Sequence, residues 1–121
     1  MLRGISLALV LIAAPVLAID ASKKPPTAAE RDLVIDILVK CDATYFIGKG
    51  RKSPAATACQ QAGDAWDYRF GLMSNGNHSR LMHPTMKLVY AAGNFDLLPD
   101  QEHLQAFHSA RRDLQAELRK K

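Results

Sequence analysis

The fold is decided by residues 27–70, TAAERDLVIDILVKCDATYFIGKGRKSPAATACQQAGDAWDYRF, which contain two amphipathic segments joined by a short basic turn. In the first segment, apolar residues recur every three or four positions, which predicts a helix from Thr27 to about Ile47. Thr27 and Glu30 match a capping box, in which the hydroxyl caps the first turn and the carboxylate reaches back. The main apolar face comprises Leu33, Val34, Ile37, Leu38, Cys41 and Tyr45.

A second apolar stripe lies beside this face and comprises Ile35, Val39 and Phe46. An apolar arc this wide predicts a central helix that other parts of the protein contact on more than one side. The pattern is compatible both with packing inside the domain and with a contact between two copies of the chain, so it leaves the oligomeric state open.

The second segment begins at Ser53 and Pro54, because serine is a favoured N-cap and proline is favoured at the first helical position. Residues 48–52, GKGRK, end the helix before it. A narrow apolar seam follows and comprises Ala55, Cys59, Ala62, Trp66, Phe70 and Met73. Residues 74–77, SNGN, are strong turn formers and end the second helix.

The two cysteines of the chain fall at the same level of this helix pair. Cys41 lies seven residues before Gly48 and Cys59 six residues after Ser53. In an antiparallel pair both therefore lie roughly 9–10 Å from the turn, at about 1.5 Å per residue. Both are on apolar faces, and the C-x-x-C spacing of redox enzymes is absent. The sequence therefore predicts a Cys41–Cys59 disulfide that stabilises the pair by about 3 kcal/mol.

Two further helices are predicted in the rest of the chain. Pro84 opens the third, because the residue before a proline is disfavoured in the helical region, and residues 93–94 (GN) close it. Residues 98–100 (LPD) lead into the fourth. The apolar stripe of this helix comprises Leu104, Phe107, Leu114 and Leu118. The predicted fold is all-α: a small bundle of about four helices, the first two forming a disulfide-stapled antiparallel hairpin.

The first 18 residues have the pattern of a secretory signal peptide. Arg3 supplies the basic start, residues 5–14 are apolar, and Ala18 is the small residue before the expected cleavage point. The apolar run is shorter than the roughly 20 residues of a membrane-spanning helix, and no later segment is longer, so no membrane span is predicted. We expect a flexible leader over residues 19–26 and one helical domain over residues 27–121, located in the periplasm or secreted.

The charge of the chain bears on its partners. The formal net charge of the chain is +4. Removal of the predicted signal peptide takes away one positive charge, that of Arg3. Because this positive excess is small and the protein is expected to be exported, nucleic acid is excluded as its expected partner.

Soft metal ligands are concentrated in residues 73–86. Thioether and imidazole groups suit copper, so a copper-binding envelope protein is one functional hypothesis. The alternative is that the methionines fill the core and that the histidines are solvated. The candidate ligands are Met73, His78, Met82, His83 and Met86.

Asp64 and Asp67 are one turn apart on the second helix. Paired carboxylates perform acid–base chemistry in glycosidases, so a small cell-wall-directed hydrolase is a further hypothesis. The alternative is a pair of solvated charges on the side of the helix away from its apolar seam, or an acidic patch shared with Asp42 and Asp96.

Arg111 interrupts the apolar stripe of the fourth helix. Its stem can extend to solvent, its guanidinium can pair with a partly buried carboxylate, or it can mark a partner-binding face, where arginine is enriched. The basic loop is either a flexible connector or a contact for acidic protein, lipid head groups or cell-wall polymer, through Lys49, Arg51 and Lys52. Aromatic candidates for the same kind of face are Trp66, Tyr45 and Tyr90.

The serines of the chain lack the nucleophile-elbow pattern, and bridged cysteines exclude a Cys–His dyad. We therefore expect a non-enzymatic protein without a cofactor that binds another envelope or secreted protein. A periplasmic immunity or inhibitor role is the most specific form of this expectation.

Overall fold

Four α-helices follow one another in the computed structural model, which describes residues 24–47, 53–71 and 79–120. They are α1 (Ala28–Ile47), α2 (Pro54–Phe70), α3 (Met82–Leu97) and α4 (Gln101–Arg119). These ranges contain no strand, and the predicted all-α bundle of about four helices is confirmed. The predicted signal peptide, the basic loop at residues 48–52 and the turn at residues 74–77 lie outside the described residues.

Side-chain caps fix the starts of three helices. In each case an oxygen accepts the backbone N–H three residues later, which satisfies one of the unpaired donors of a first turn and stabilises the helix by about 1 kcal/mol. The pairs are Thr27 Oγ1 with Glu30, Ser53 Oγ with Ala56 and Asp100 Oδ1 with His103, at 3.0, 3.1 and 2.9 Å. The starts predicted at Thr27, Ser53 and Asp100 are confirmed.

A disulfide joins α1 to α2, as the cysteine positions predict. The Cα atoms of Cys41 and Cys59 are 4.6 Å apart and the sulfur atoms are bonded. Both residues are almost fully buried. Because Cys41 lies near the end of α1 and Cys59 near the start of α2, the two helices form the predicted antiparallel hairpin.

Hydrogen bonds between helix ends give the direction of α3. Ser79, just before α3, donates from Oγ to Glu30 Oε2 at the start of α1 over 2.8 Å, so α1 and α3 run parallel. The backbone N–H of Ser53, at the start of α2, donates to Asp96 Oδ2 at the end of α3 over 3.2 Å, so α2 and α3 run antiparallel.

Helix α4 packs mainly on α3 and completes an up-down-up-down bundle. The rings of Phe95 and Phe107 stack with centroids 6.1 Å apart. Arg80 at the start of α3 pairs with Glu117 near the end of α4, their Nε and Oε1 atoms 3.5 Å apart, so these helices are also antiparallel. The largest fully buried apolar side chains are Trp66, Phe107, Ile37, Leu81, Leu88 and Leu114.

Helix α1 contacts both α2 and α3, as its wide apolar arc predicts. The second stripe is nevertheless at the surface where it is described, because Ile35 and Val39 are 45% and 64% exposed. The side chain of Phe46 lies outside the described residues.

The predicted ends of α3 are wrong at both sides. The helix begins at Met82, so Pro84 is its third residue. A proline is tolerated there because the N–H groups of a first turn have no intrahelical acceptor. Gly93 and Asn94 lie inside the helix, which continues to Leu97. In the described part of the chain, no helix is long and apolar enough to cross a membrane.

Candidate functional site

A groove of about 320 Å³ runs between α2 and α3 on the surface of the bundle. Its floor is open because residue 93 is a glycine: no atom outside its immediate neighbourhood lies within 4 Å of the position that a Cβ would take. A larger side chain at this position would fill the groove. The lining residues are Ala56, Thr57, Gln60, Gln61, Gly93, Asp96 and Leu97.

Apolar side chains stand exposed beside this groove. Tyr90, Gly93 and Leu97 are three and four residues apart, so they share one side of α3. The side chain of Tyr90 is 62% exposed and that of Leu97 is 56% exposed, and the neighbouring Leu98 is equally open to solvent. We call Tyr90, Gly93, Leu97 and Leu98 the α3 strip.

A buried carboxylate holds the walls of the groove together. Asp96 is 2% exposed and accepts the backbone N–H of Ser53 at the N-terminus of α2. A carboxylate is favoured at this place because unpaired N–H groups and the helix dipole make a helix N-terminus electropositive. The disulfide lies within one turn, since Cys59 is adjacent to Gln60 of the lining. The groove is therefore a fixed feature of the bundle.

Polar side chains form the α2 side of the groove. Gln60 donates from Nε2 to Asp64 Oδ1 over 2.9 Å, and Gln61 is exposed beside it. Among the lining residues there is no cation, and the one carboxylate, Asp96, is buried. The groove thus has an uncharged, largely apolar floor with amides at its edge, an arrangement that suits an uncharged segment of another protein.

The predicted copper ligands are only partly within the described residues. Met82 is buried in the core and Met86 packs against it, whereas His83 is exposed. Met73 and His78 lie outside the described residues, so the copper hypothesis stays a prediction. In the ranges that the structure describes, no group of three or more histidine, cysteine, aspartate or glutamate residues is arranged to hold a metal ion.

The two carboxylates of the hydrolase hypothesis lie on the outer part of α2. Asp64 is exposed and accepts the hydrogen bond from Gln60. Asp67 is half-buried, and its backbone carbonyl accepts the N–H of Gly71 at the end of the helix, over 2.8 Å. The hydrolase hypothesis stays a prediction.

Arg111 is part of an ion pair between α4 and α1. Its Nε atom lies 2.7 Å from Asp42 Oδ1, and the two side chains are 33% and 26% exposed. This is the second of the three arrangements considered for Arg111, pairing with a partly buried carboxylate. The other predicted partner contacts, Lys49, Arg51 and Lys52, lie outside the described residues.

Among the described residues, one titratable group has a clearly shifted pKa, and it lies near the end of the bundle that carries the groove. The pKa of Asp100 is lowered because its carboxylate accepts the backbone N–H of His103 and also meets the imidazole, with Oδ1 and Nδ1 2.6 Å apart. This carboxylate is exposed and caps α4, so its role is structural.

Comparison of the chain with protein-family models, with curated proteins and with solved structures gives no match. The candidate site is therefore defined by geometry alone. Its central residue, Gly93, was predicted to end α3. The signal that identifies it is the spacing of Tyr90, Gly93 and Leu97 on one helical face.

Proposed function

We propose that this chain is an exported module that binds another envelope or secreted protein through the α2–α3 groove and acts as an immunity or inhibitor protein. The observation that carries the proposal is the α3 strip: exposed Tyr90 and Leu97 stand on either side of Gly93, where the groove is open. Exposed apolar side chains gathered around a concavity are typical of protein contact surfaces, and tyrosine is enriched there.

Rigidity of the support favours binding. The Cys41–Cys59 bond joins α1 to α2, and Asp96 joins α3 to the start of α2. Because these ties order the groove before a partner arrives, little conformational entropy is lost on association. A disulfide-braced domain also suits the oxidising compartment to which the N-terminal pattern directs the chain.

The uncharged lining of the groove indicates which kind of partner side chain it can bind. A partner that inserts an apolar side chain above Gly93 would be flanked by Leu97 and by the amides of Gln60 and Gln61. A charged side chain would lose its hydration without gaining an ion pair, since the accessible lining is uncharged. We therefore expect an uncharged, apolar anchor on the partner.

The experiment is affinity capture from the envelope fraction followed by binding measurements with the isolated partner. Gly93→Leu fills the groove and should abolish capture while leaving the helical circular dichroism unchanged. Asn94→Leu is the matched control, because it adds the same side chain at the next, exposed position of α3. Tyr90→Ala should weaken binding about tenfold, as the loss of an interface tyrosine does. Tyr68→Ala, at a more exposed tyrosine on α2, should not weaken binding. A partner that binds Gly93→Leu as tightly as the unmodified protein would contradict the proposal.

A further inference from the structure

A second cleft, of about 390 Å³, lies at the opposite end of the bundle from the α2–α3 groove. Four of its six lining residues are cationic and none is acidic. They are brought together from the start of α1, the start of α3 and the end of α4. The lining comprises Pro25, Pro26, Arg31, Arg80, Arg119 and Lys120.

Two of the arginines are held in place by the end of α4. Arg31 donates from Nη2 to the carbonyl of Leu118 over 2.5 Å, and Arg80 donates from Nη2 to the carbonyl of Lys120 over 3.2 Å. The last carbonyls of a helix receive no hydrogen bond from an N–H within the helix, so the two arginines supply donors that these carbonyls would otherwise lack. A guanidinium has five N–H donors, so the one hydrogen bond of Arg31 leaves several of them available to a ligand, whereas Arg80 also pairs with Glu117 and is mostly buried.

The packing around Arg80 makes this a built site rather than a group of surface cations. Its side chain is 10% exposed. The backbone N–H of Arg80 also donates to the carbonyl of Lys24 over 2.9 Å, which fixes the segment that carries Pro25 and Pro26 against the start of α3. Both the cation and one wall of the cleft are therefore ordered in advance.

Positive charge in the cleft is only partly neutralised. Glu117 approaches Arg80 and also accepts from Lys120 Nζ over 2.6 Å. Among the described residues, Arg31 and Arg119 form no ion pair with a carboxylate. Two of the four cations thus share one carboxylate, and the lining of the cleft carries more positive than negative charge.

We propose that this cleft binds a phosphoryl group. A phosphoryl group carries up to two negative charges on three oxygens, so several guanidinium groups can donate to it at once, often in bidentate pairs. A single carboxylate would leave most of the surplus charge unmatched. The phosphoryl group belongs either to a soluble phosphate compound or to a lipid head group. This inference is independent of the proposed protein-binding function, because the two sites share no lining residue.

The test uses the protein purified after expression of the full sequence, with two probes. Inorganic pyrophosphate is titrated by calorimetry, and phosphatidylcholine vesicles with and without phosphatidic acid are used in co-sedimentation. Arg119→Gln should weaken binding about tenfold, as expected for the loss of a hydrogen bond to a charged group. Arg112→Gln is the matched control, since it removes the same charge from an exposed position of α4 outside this cleft. The Nε–H signals of Arg31 and Arg80 should shift in nuclear magnetic resonance spectra of the complex.

Each outcome decides the proposal. Pyrophosphate binding that Arg119→Gln weakens and Arg112→Gln leaves unchanged supports the site and identifies a soluble ligand. Binding to phosphatidic acid vesicles alone, with the same difference between the variants, supports it and identifies a lipid head group. Binding to neither probe, or equal losses in the two variants, overturns it, because equal losses would indicate only general charge attraction.

Discussion

Two glycines in helix interiors give a sharp test of the packing between α2 and α3. Gly63 on α2 faces Val89 on α3: a Cβ at position 63 would lie 2.8 Å from Val89 Cγ2 and 3.0 Å from Cγ1. Gly93 has open space at the corresponding position. The same substitution, glycine to alanine, should therefore change stability in opposite directions at the two positions.

The expected magnitudes follow from these distances. Alanine is favoured over glycine in a helix by about 1 kcal/mol, so Gly93→Ala should stabilise the protein by about 0.5–1 kcal/mol. Gly63→Ala gains the same propensity but overpacks the core, which costs about 1–3 kcal/mol. Val89 cannot move away easily, because it is 1% exposed and its branched side chain has one strongly preferred rotamer in a helix. The difference between the two terms is a net loss of up to about 2 kcal/mol for Gly63→Ala.

Thermal and urea unfolding, followed by circular dichroism, measure both effects. One kcal/mol corresponds to about 4–8 °C in the Tm of a domain of this size. Gly93→Ala should raise the Tm by about 4 °C, whereas Gly63→Ala should lower the Tm. Val89→Ala should couple to Gly63→Ala by about 0.5 kcal/mol or more in a double-mutant cycle, since it removes the clash. Equal stabilisation by the two alanines would refute the close approach of α2 and α3 on which the groove rests.

Three further predictions concern the disulfide, the cap of α4 and the ion pair between α1 and α4. Cys41→Ser should lower the free energy of unfolding by about 3 kcal/mol in denaturant titrations, because it releases the closed loop from α1 to α2; two free thiols in the unmodified protein would contradict this. The lowered pKa of Asp100 means that its cap stabilises the fold above the ordinary carboxyl pKa and is lost as the pH falls through the lowered value. The Tm of the unmodified protein should therefore fall more between pH 6 and pH 2 than that of Asp100→Asn, and parallel curves would refute it. A double-mutant cycle of Asp42→Ala and Arg111→Ala should give a coupling of at most about 1 kcal/mol, because this pair is partly exposed.

Much of the fold is predictable because its signals are local. The caps at Thr27, Ser53 and Asp100 each depend on residues within one turn, and the helix starts that they predict are confirmed. The Cys41–Cys59 bond was predicted from the lengths of two helices and the position of the turn between them, quantities that a sequence contains directly.

The predicted ends of α3 are wrong because the residues at these positions are compatible both with a helix end and with a continuing helix. Pro84 would be favoured at the first position of a helix, but it is also tolerated at the third position, since neither N–H is used within the helix. Gly93 followed by Asn94 is typical of a helix end, but here the chain continues, and Asn94 supplies the carbonyl that the N–H of Leu98 meets at the actual end. Tertiary packing of Asp96 against the start of α2 favours this longer helix.

The two surfaces could not be predicted from the sequence, for a different reason. The α2–α3 groove depends on which residue of α2 lies opposite Gly93, and this is set by the contact between Gly63 and Val89. The cationic cleft combines residues that are far apart in the chain, such as Arg31 and Arg119. The spacing of Tyr90, Gly93 and Leu97 indicates one face of α3, but it does not show what lies opposite that face, and the cleft has no spacing of its own.

The positions of the two surfaces imply that the disulfide supports the α2–α3 groove more than it supports the cationic cleft. Cys59 is adjacent to Gln60 in the wall of the groove, so loss of the bond with Cys41 loosens α2 where the groove is formed. The cationic cleft lies at the other end and rests on hydrogen bonds of Arg31 and Arg80 to the end of α4, none of which involves α2. Under reducing conditions that leave the bundle folded, protein binding should therefore weaken while phosphoryl binding is retained. If reduction weakens protein binding and leaves phosphoryl binding unchanged, the two sites are separated without any change in the sequence; equal losses at both sites would contradict this argument.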